Sequence, residues 1–195
     1  MAKNMQQDLT QHLSRKELQD LKNKRTALAI FQFSWIMAFV SLIAANWQLR
    51  YQAASWPPPG VEKLGVVIPT LMTLVLIVSS LLVRSATRSV KAGKPERFNN
   101  RWGLALLLGI IFIVVMAWEW VAVPVSGQYS NLFRLMVGFH GVHALVIGAF
   151  MVVVYRNGRA GAYDTYHFWP VEGAAGLWHF VTVAWVLFYS VLYLA

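Results

Sequence analysis

The stretch Leu132-Phe-Arg-Leu-Met-Val-Gly-Phe-His-Gly-Val-His-Ala-Leu-Val-Ile-Gly-Ala-Phe-Met-Val-Val-Val-Tyr155 decides the fold. Its 24 residues are apolar apart from Arg134 near the start and His140 and His143 towards the middle. A run of that length crosses a bilayer as a helix, and imidazoles at mid-depth have to be satisfied inside the protein.

Working outward, four further apolar runs occupy residues 27–47, 65–83, 102–123 and 172–194. At about 1.5 Å per residue each of the five is ~28–36 Å long, enough for a hydrocarbon core of about 30 Å. In lipid only helices and closed barrels satisfy the backbone, and continuous runs of this length mean helices. The expected fold class is therefore all-α: a polytopic bundle of five transmembrane helices over 27–195, preceded by a polar arm, 1–26. Composition agrees, with 57% hydrophobic and only 13% charged residues. Soluble domains carry roughly a quarter charged. The first run follows 26 mostly polar residues and is too long for the apolar part of a signal peptide, so it reads as a retained span.

The net charge of +9 does not point to nucleic acid, because the basic residues flank the spans rather than forming a patch. Of seventeen Lys and Arg, fourteen fall in segments 1–26, 84–101 and 156–171, and only Arg50, Lys63 and Arg134 fall on the other side. The positive-inside rule then places the N-terminus inside and the C-terminus outside. Ser14-Arg-Lys-Glu17 has the spelling of a capping box, which predicts a polar helix over 14–25 running into the first span. A solvated charged arm is the alternative. Trp56-Pro-Pro-Pro-Gly60 lacks three backbone donors and predicts an extended elbow, with Trp56 at the headgroup level.

The candidate functional residues are the ionisable groups within the spans. His140 and His143 could offer two ligands to a metal, but such motifs usually need a further His or carboxylate at matched depth. The preferred reading is that both imidazoles hydrogen-bond to neighbouring helices and hold packing. Depth counting predicts His143 and His179 as neighbours across an antiparallel pair, with Glu172 on the His179 face. Glu119 and Arg134, near the outer ends of their spans, are expected to pair, with a proton relay as the alternative. Gly138, Gly141 and Gly148 form one small-residue strip, and Gly173 and Gly176 another, as close helix packing in lipid requires.

No P-loop, hydrolase elbow, dinucleotide fingerprint or HExxH is present. With three intramembrane histidines and no cysteine, the chain has too few ligands for a copper or multi-haem centre of its own. The sequence thus predicts no catalytic, cofactor-binding or metal residue in this chain.

Several motifs, each in order and on the expected span or loop, give the chain a family likeness over residues 30–195. They are Trp56-Pro-Pro-Pro-Gly60, Pro69-Thr-Leu-Met-Thr-Leu-Val-Leu76, Leu108-Gly109 with Glu119 ten residues on, Gly138-Phe-His-Gly-Val-His143 and Gly176-Leu-Trp-His-Phe-Val-Thr182. Together they resemble subunit III of the haem–copper terminal oxidases, in its shorter five-helix form. The resemblance implies a bacterial plasma-membrane subunit without haem or copper of its own, packed against catalytic subunit I in a complex that also holds subunit II. It also implies bound phospholipid and support for proton uptake and sustained oxygen reduction. Glu119 and Glu172 match family acids. Trp35 stands where the family usually has a buried Glu, and Thr182 where it has an Asp. The accessory subunit of a nitric-oxide reductase is the alternative within the superfamily. A free-standing transporter, which would need broken helices and a polar cavity, is the alternative outside it.

Overall fold

The apolar runs 27–47, 132–155 and 172–194 lie inside longer helical stretches, and 65–83 and 102–123 do so but for one or two residues at an end, in the computed structural model, which describes residues 14–59, 64–123 and 127–194. The helices are α1 (Arg15–Gln52), α2 (Val67–Lys91), α3 (Pro95–Ala122), α4 (Gly127–Arg159) and α5 (Trp169–Tyr189), with a π-helical continuation, Ser190–Leu194. All five are long and apolar enough to span a membrane. The elbow's Gly60, the outer Lys63 and most of the polar arm, including His12, lie outside the described residues.

Local chemistry sets the ends. Ser14 accepts from the Glu17 amide while the Glu17 carboxylate accepts from the Ser14 amide at 2.8 Å, so the capping box opens α1 well before its apolar part. That one helix then runs unbroken through the polar arm and the first span. Pro57, Pro58 and Pro59 follow its end, and proline cannot extend a helix. Trp56 turns back onto Tyr129 of α4, ring centroids 5.2 Å apart. Gly93, at φ 64, ends α2 with the paired bonds Gly93 N–H to Val90 O and Lys94 N–H to Ser89 O. This left-handed closure favours glycine, and Pro95 starts α3 at once. Gly161, at φ 75, closes α4 in the same way.

Helices α2 to α5 form a ring in chain order, each packed on the next and α5 returning to α2. Trp102, Trp178, Trp185, Phe112 and Met151 fill its centre and are fully buried. Helix α1 stands outside the ring against α5. Its apolar residues Ile30, Phe33, Met37 and Val40 are all more than half exposed, so this face meets lipid or another chain.

Candidate functional site

Two layers, one hydrogen-bonded and one aromatic, lie across the bundle, and the histidines divide between them. The first joins α2 to α5. The indole N–H of Trp185 donates to Thr73 Oγ1 at 2.9 Å, and that of Trp178 donates to Ser79 Oγ at 3.0 Å. Ser79 donates onward to the Ala105 carbonyl of α3 at 2.7 Å. His179 Nδ1 and Ser80 Oγ share a 2.6 Å hydrogen bond, and Thr70 and Tyr189 share another of the same length. Thr70 and Thr73 fall in the quoted 69–76 motif, but nothing in the sequence marked their bonding role, and Ser79 and Ser80 carried no mark at all. Thr70, Thr73 and Ser80 recur at intervals of three and seven on one helix face, which is equally the spacing of packing residues.

The second layer is aromatic. His143 lies against Trp35 of α1, with centroids 4.3 Å apart, and against Phe39 and Phe180 at 5.5 Å. His140 rests on Trp185 at 5.3 Å, with Phe112 edge-on at 6.1 Å. Both histidines are buried. Neither nitrogen of His140, nor Nε2 of His143, has a hydrogen-bond partner among the described residues. The two imidazoles therefore pack as expected, but these three ring nitrogens make none of the expected hydrogen bonds to neighbouring helices.

The predicted His143–His179 pairing is not formed. His179 turns to α2, while its neighbour Phe180 turns to His143, so the depth is right and the azimuth is one residue off. Glu119 and Arg134 do not pair either. Arg134 caps the end of α3 by donating to the Val123 carbonyl at 2.9 Å and lies 4.4 Å over the Trp120 ring. A helix C-terminus is a favourable place for a cation, and a Trp face adds to it. Glu119 is half-buried in the last turn of α3.

Glu172, in the first turn of α5, joins three elements. Its carboxylate meets Arg25 of α1 at 2.7 Å and Lys91 of α2 at 3.5 Å, and Lys91 also lies over Phe168. The loop between α4 and α5 folds around Asp164, which accepts from the amides of Tyr166 and His167 and meets the His167 ring at 3.0 Å. The bond to Asp164 holds His167 above its ordinary pKa, and the His167 amide holds Asp164 below its own.

The small-residue strips separate on contact. A Cβ at Gly138 would meet Trp120 Nε1 at 3.1 Å, and one at Gly176 would touch Gln32 and Leu28 of α1. At Gly173 it would meet Trp169 of its own helix, at Gly148 only Ile113, and at Gly141 nothing within 4 Å. The tightest approaches are elsewhere, at Gly109 against Trp178 and at Gly158 against Phe98. Thr182 bonds back to the Trp178 carbonyl of its own helix at 3.0 Å. Trp35 supplies the ring that faces His143.

The family model described as cytochrome c oxidase subunit III matches residues 14–195, nearly the whole chain. The chain belongs to the cytochrome c oxidase subunit III family. Among this family's members, cytochrome c oxidase subunit 3 of Thermostichus vulcanus is 30% identical over 172 residues, covering 86% of this chain and 85% of that protein. The Paracentrotus lividus subunit 3 is 30% identical over 167 residues, 84% of this chain, and that of Drosophila melanogaster 29% over 178 residues, 87% of this chain. The chain spans 62% of the Paracentrotus lividus protein, a little under two thirds, and 68% of the Drosophila melanogaster one.

Proposed function

We propose that this chain is the cofactor-free third subunit of a haem–copper terminal oxidase, set in a bacterial plasma membrane with its N-terminus inside. It packs against catalytic subunit I, in a complex with subunit II that reduces oxygen to water and translocates protons. Haems and copper reside in those partners. This chain supports their stability and proton uptake and carries structural phospholipid.

The observation that carries the reading is the family match over residues 14–195, supported by relatives whose own name is cytochrome c oxidase subunit 3. That name favours an oxidase over a nitric-oxide reductase. The side chains agree with a scaffold. His140 and His143 are wedged among aromatic rings and His179 bonds to Ser80, so the three imidazoles diverge instead of converging on a shared point. In this reading Glu172 and the glycines at 138 and 176 hold helices together. Glu119, near the opposite end of the bundle, is the acid available to a proton path. The exposed apolar face of α1 suits a large neighbour or its lipids.

Purification of the tagged chain in mild detergent tests this. The expected result is copurification of a haem-bearing polytopic chain and oxygen consumption by the complex. Nitric-oxide consumption without oxygen consumption would reassign the complex. A stable lone chain with transport activity would overturn the scaffold reading.

A further inference from the structure

A half-open cleft of about 270 Å³ lies between α3 and α4. Phe112, Trp120 and Trp185 give it aromatic walls, and Val142 and Leu145 stand exposed at its rim. Gly141 borders the open space: a Cβ there would meet nothing within 4 Å. No charged side chain lines it. The two indole N–H groups are already committed, Trp120 to the Arg134 carbonyl and Trp185 to Thr73. The remaining polar side chain in the wall is His140, 1% exposed, with both ring nitrogens unpartnered.

Leaving a buried donor and acceptor unmet is costly, and a neutral imidazole presents one of each. The ring is held by van der Waals contact alone, so a small turn towards the cleft breaks no hydrogen bond. We infer that this cleft binds a neutral, membrane-dissolved six-membered ring bearing a hydroxyl or carbonyl, a phenol or a quinone, which hydrogen-bonds to His140. A charged headgroup is disfavoured by the uncharged apolar lining and by the position of His140 well inside α4. A plain hydrocarbon would leave the imidazole unmet. A cavity of about 150 Å³ already accepts benzene, so the larger volume here leaves room for ring substituents. The aromatic walls favour stacked or edge-on ring contacts.

The test uses the full chain in its native membranes with a diazirine-bearing decylphenol as photoprobe, mapped by peptide mass spectrometry. Label should fall on residues 112–120 and 137–145 and be displaced by excess unlabelled decylphenol, a measurement that needs no variant. Gly141→Leu, which fills the open space, should abolish it. His140→Phe, which keeps an aromatic ring in the layer, should weaken phenol binding about tenfold, the scale of one hydrogen bond made in an apolar setting. A diazirine-bearing alkane without the hydroxyl should label the cleft weakly and equally in both proteins. Equal labelling by alkane and phenol, phenol binding unchanged in His140→Phe, or label confined to other helices would each overturn the inference.

Discussion

A Cβ added at Gly109 would sit 2.7 Å from Trp178 Cζ2, and the indole cannot retreat. Its N–H is tied to Ser79, which is itself tied to the Ala105 carbonyl on the helix that carries Gly109. Gly109→Ala should therefore destabilise the protein by about 1–3 kcal/mol, the usual cost of overpacking. Gly141→Ala meets nothing within 4 Å and should be neutral or stabilising by about 0.5–1 kcal/mol, the helical advantage of alanine. Thermal unfolding of the two variants in detergent separates them, and equal melting temperatures would contradict the contact geometry. The sequence could not make this distinction. Spacing put Gly138, Gly141 and Gly148 on one face, but a face does not say what stands opposite. The tight partner of Gly158 is Phe98, some sixty residues away, and no local pattern relates them. The same blindness explains the histidines: depth along a span is countable from its ends, whereas the direction a ring takes depends on its neighbours' volumes.

Helices were more legible than contacts, yet they outrun the apolar runs that announced them. The run 65–83 became Val67–Lys91, and 27–47 became Arg15–Gln52. Hydrophobicity marks only the part in lipid, while the hydrogen-bond ladder continues until a cap stops it, as Ser14 and Gly93 do. The polar extension of α1 is also held from outside, through Arg25 to Glu172 and through Glu17 to the His167 ring at 3.9 Å. Glu172→Gln should weaken this attachment by about 1 kcal/mol, since partly exposed ion pairs contribute no more. Faster hydrogen exchange over residues 15–27 with little change in α2 to α4 is the expected signature. The neighbouring Asp164–His167 clasp carries a pH dependence. His167 is raised above its ordinary 6.5, so its contribution is complete below that pH and fades as pH rises through the higher folded value. Asp164 is lowered from 3.8, so its contribution holds above that value and fades as acid protonates it. The clasp is thus firmest between the two. Imidazole resonances followed by NMR, assigned with His167→Gln, should show His167 titrating above 6.5 and returning towards it in Asp164→Asn.

At the scale of the molecule, the contacts of Glu172 turn a sequence asymmetry into a spatial one. Arg25, Lys91 and Glu172 can meet only if the polar start of α1, the α2–α3 turn and the α4–α5 loop share one end of the bundle. Among the described residues these segments hold thirteen of fifteen Lys and Arg, so their positive charge is gathered on one side of the folded protein. Positive residues are retained on the cytoplasmic side, and that end should face inward. The chain has no cysteine, so a single introduced thiol reports one place. Ala162, exposed in the α4–α5 loop, and Ala54, exposed just after α1, lie at opposite ends. In right-side-out cells, a membrane-impermeant maleimide should label Ala54→Cys directly and Ala162→Cys only after permeabilisation. The reverse pattern would invert the topology while sparing the fold. Direct labelling of both would be graver, because two exposed sites separated by an odd number of spans cannot share a side of the membrane. Only the loss of a span would then reconcile the labels with the helices.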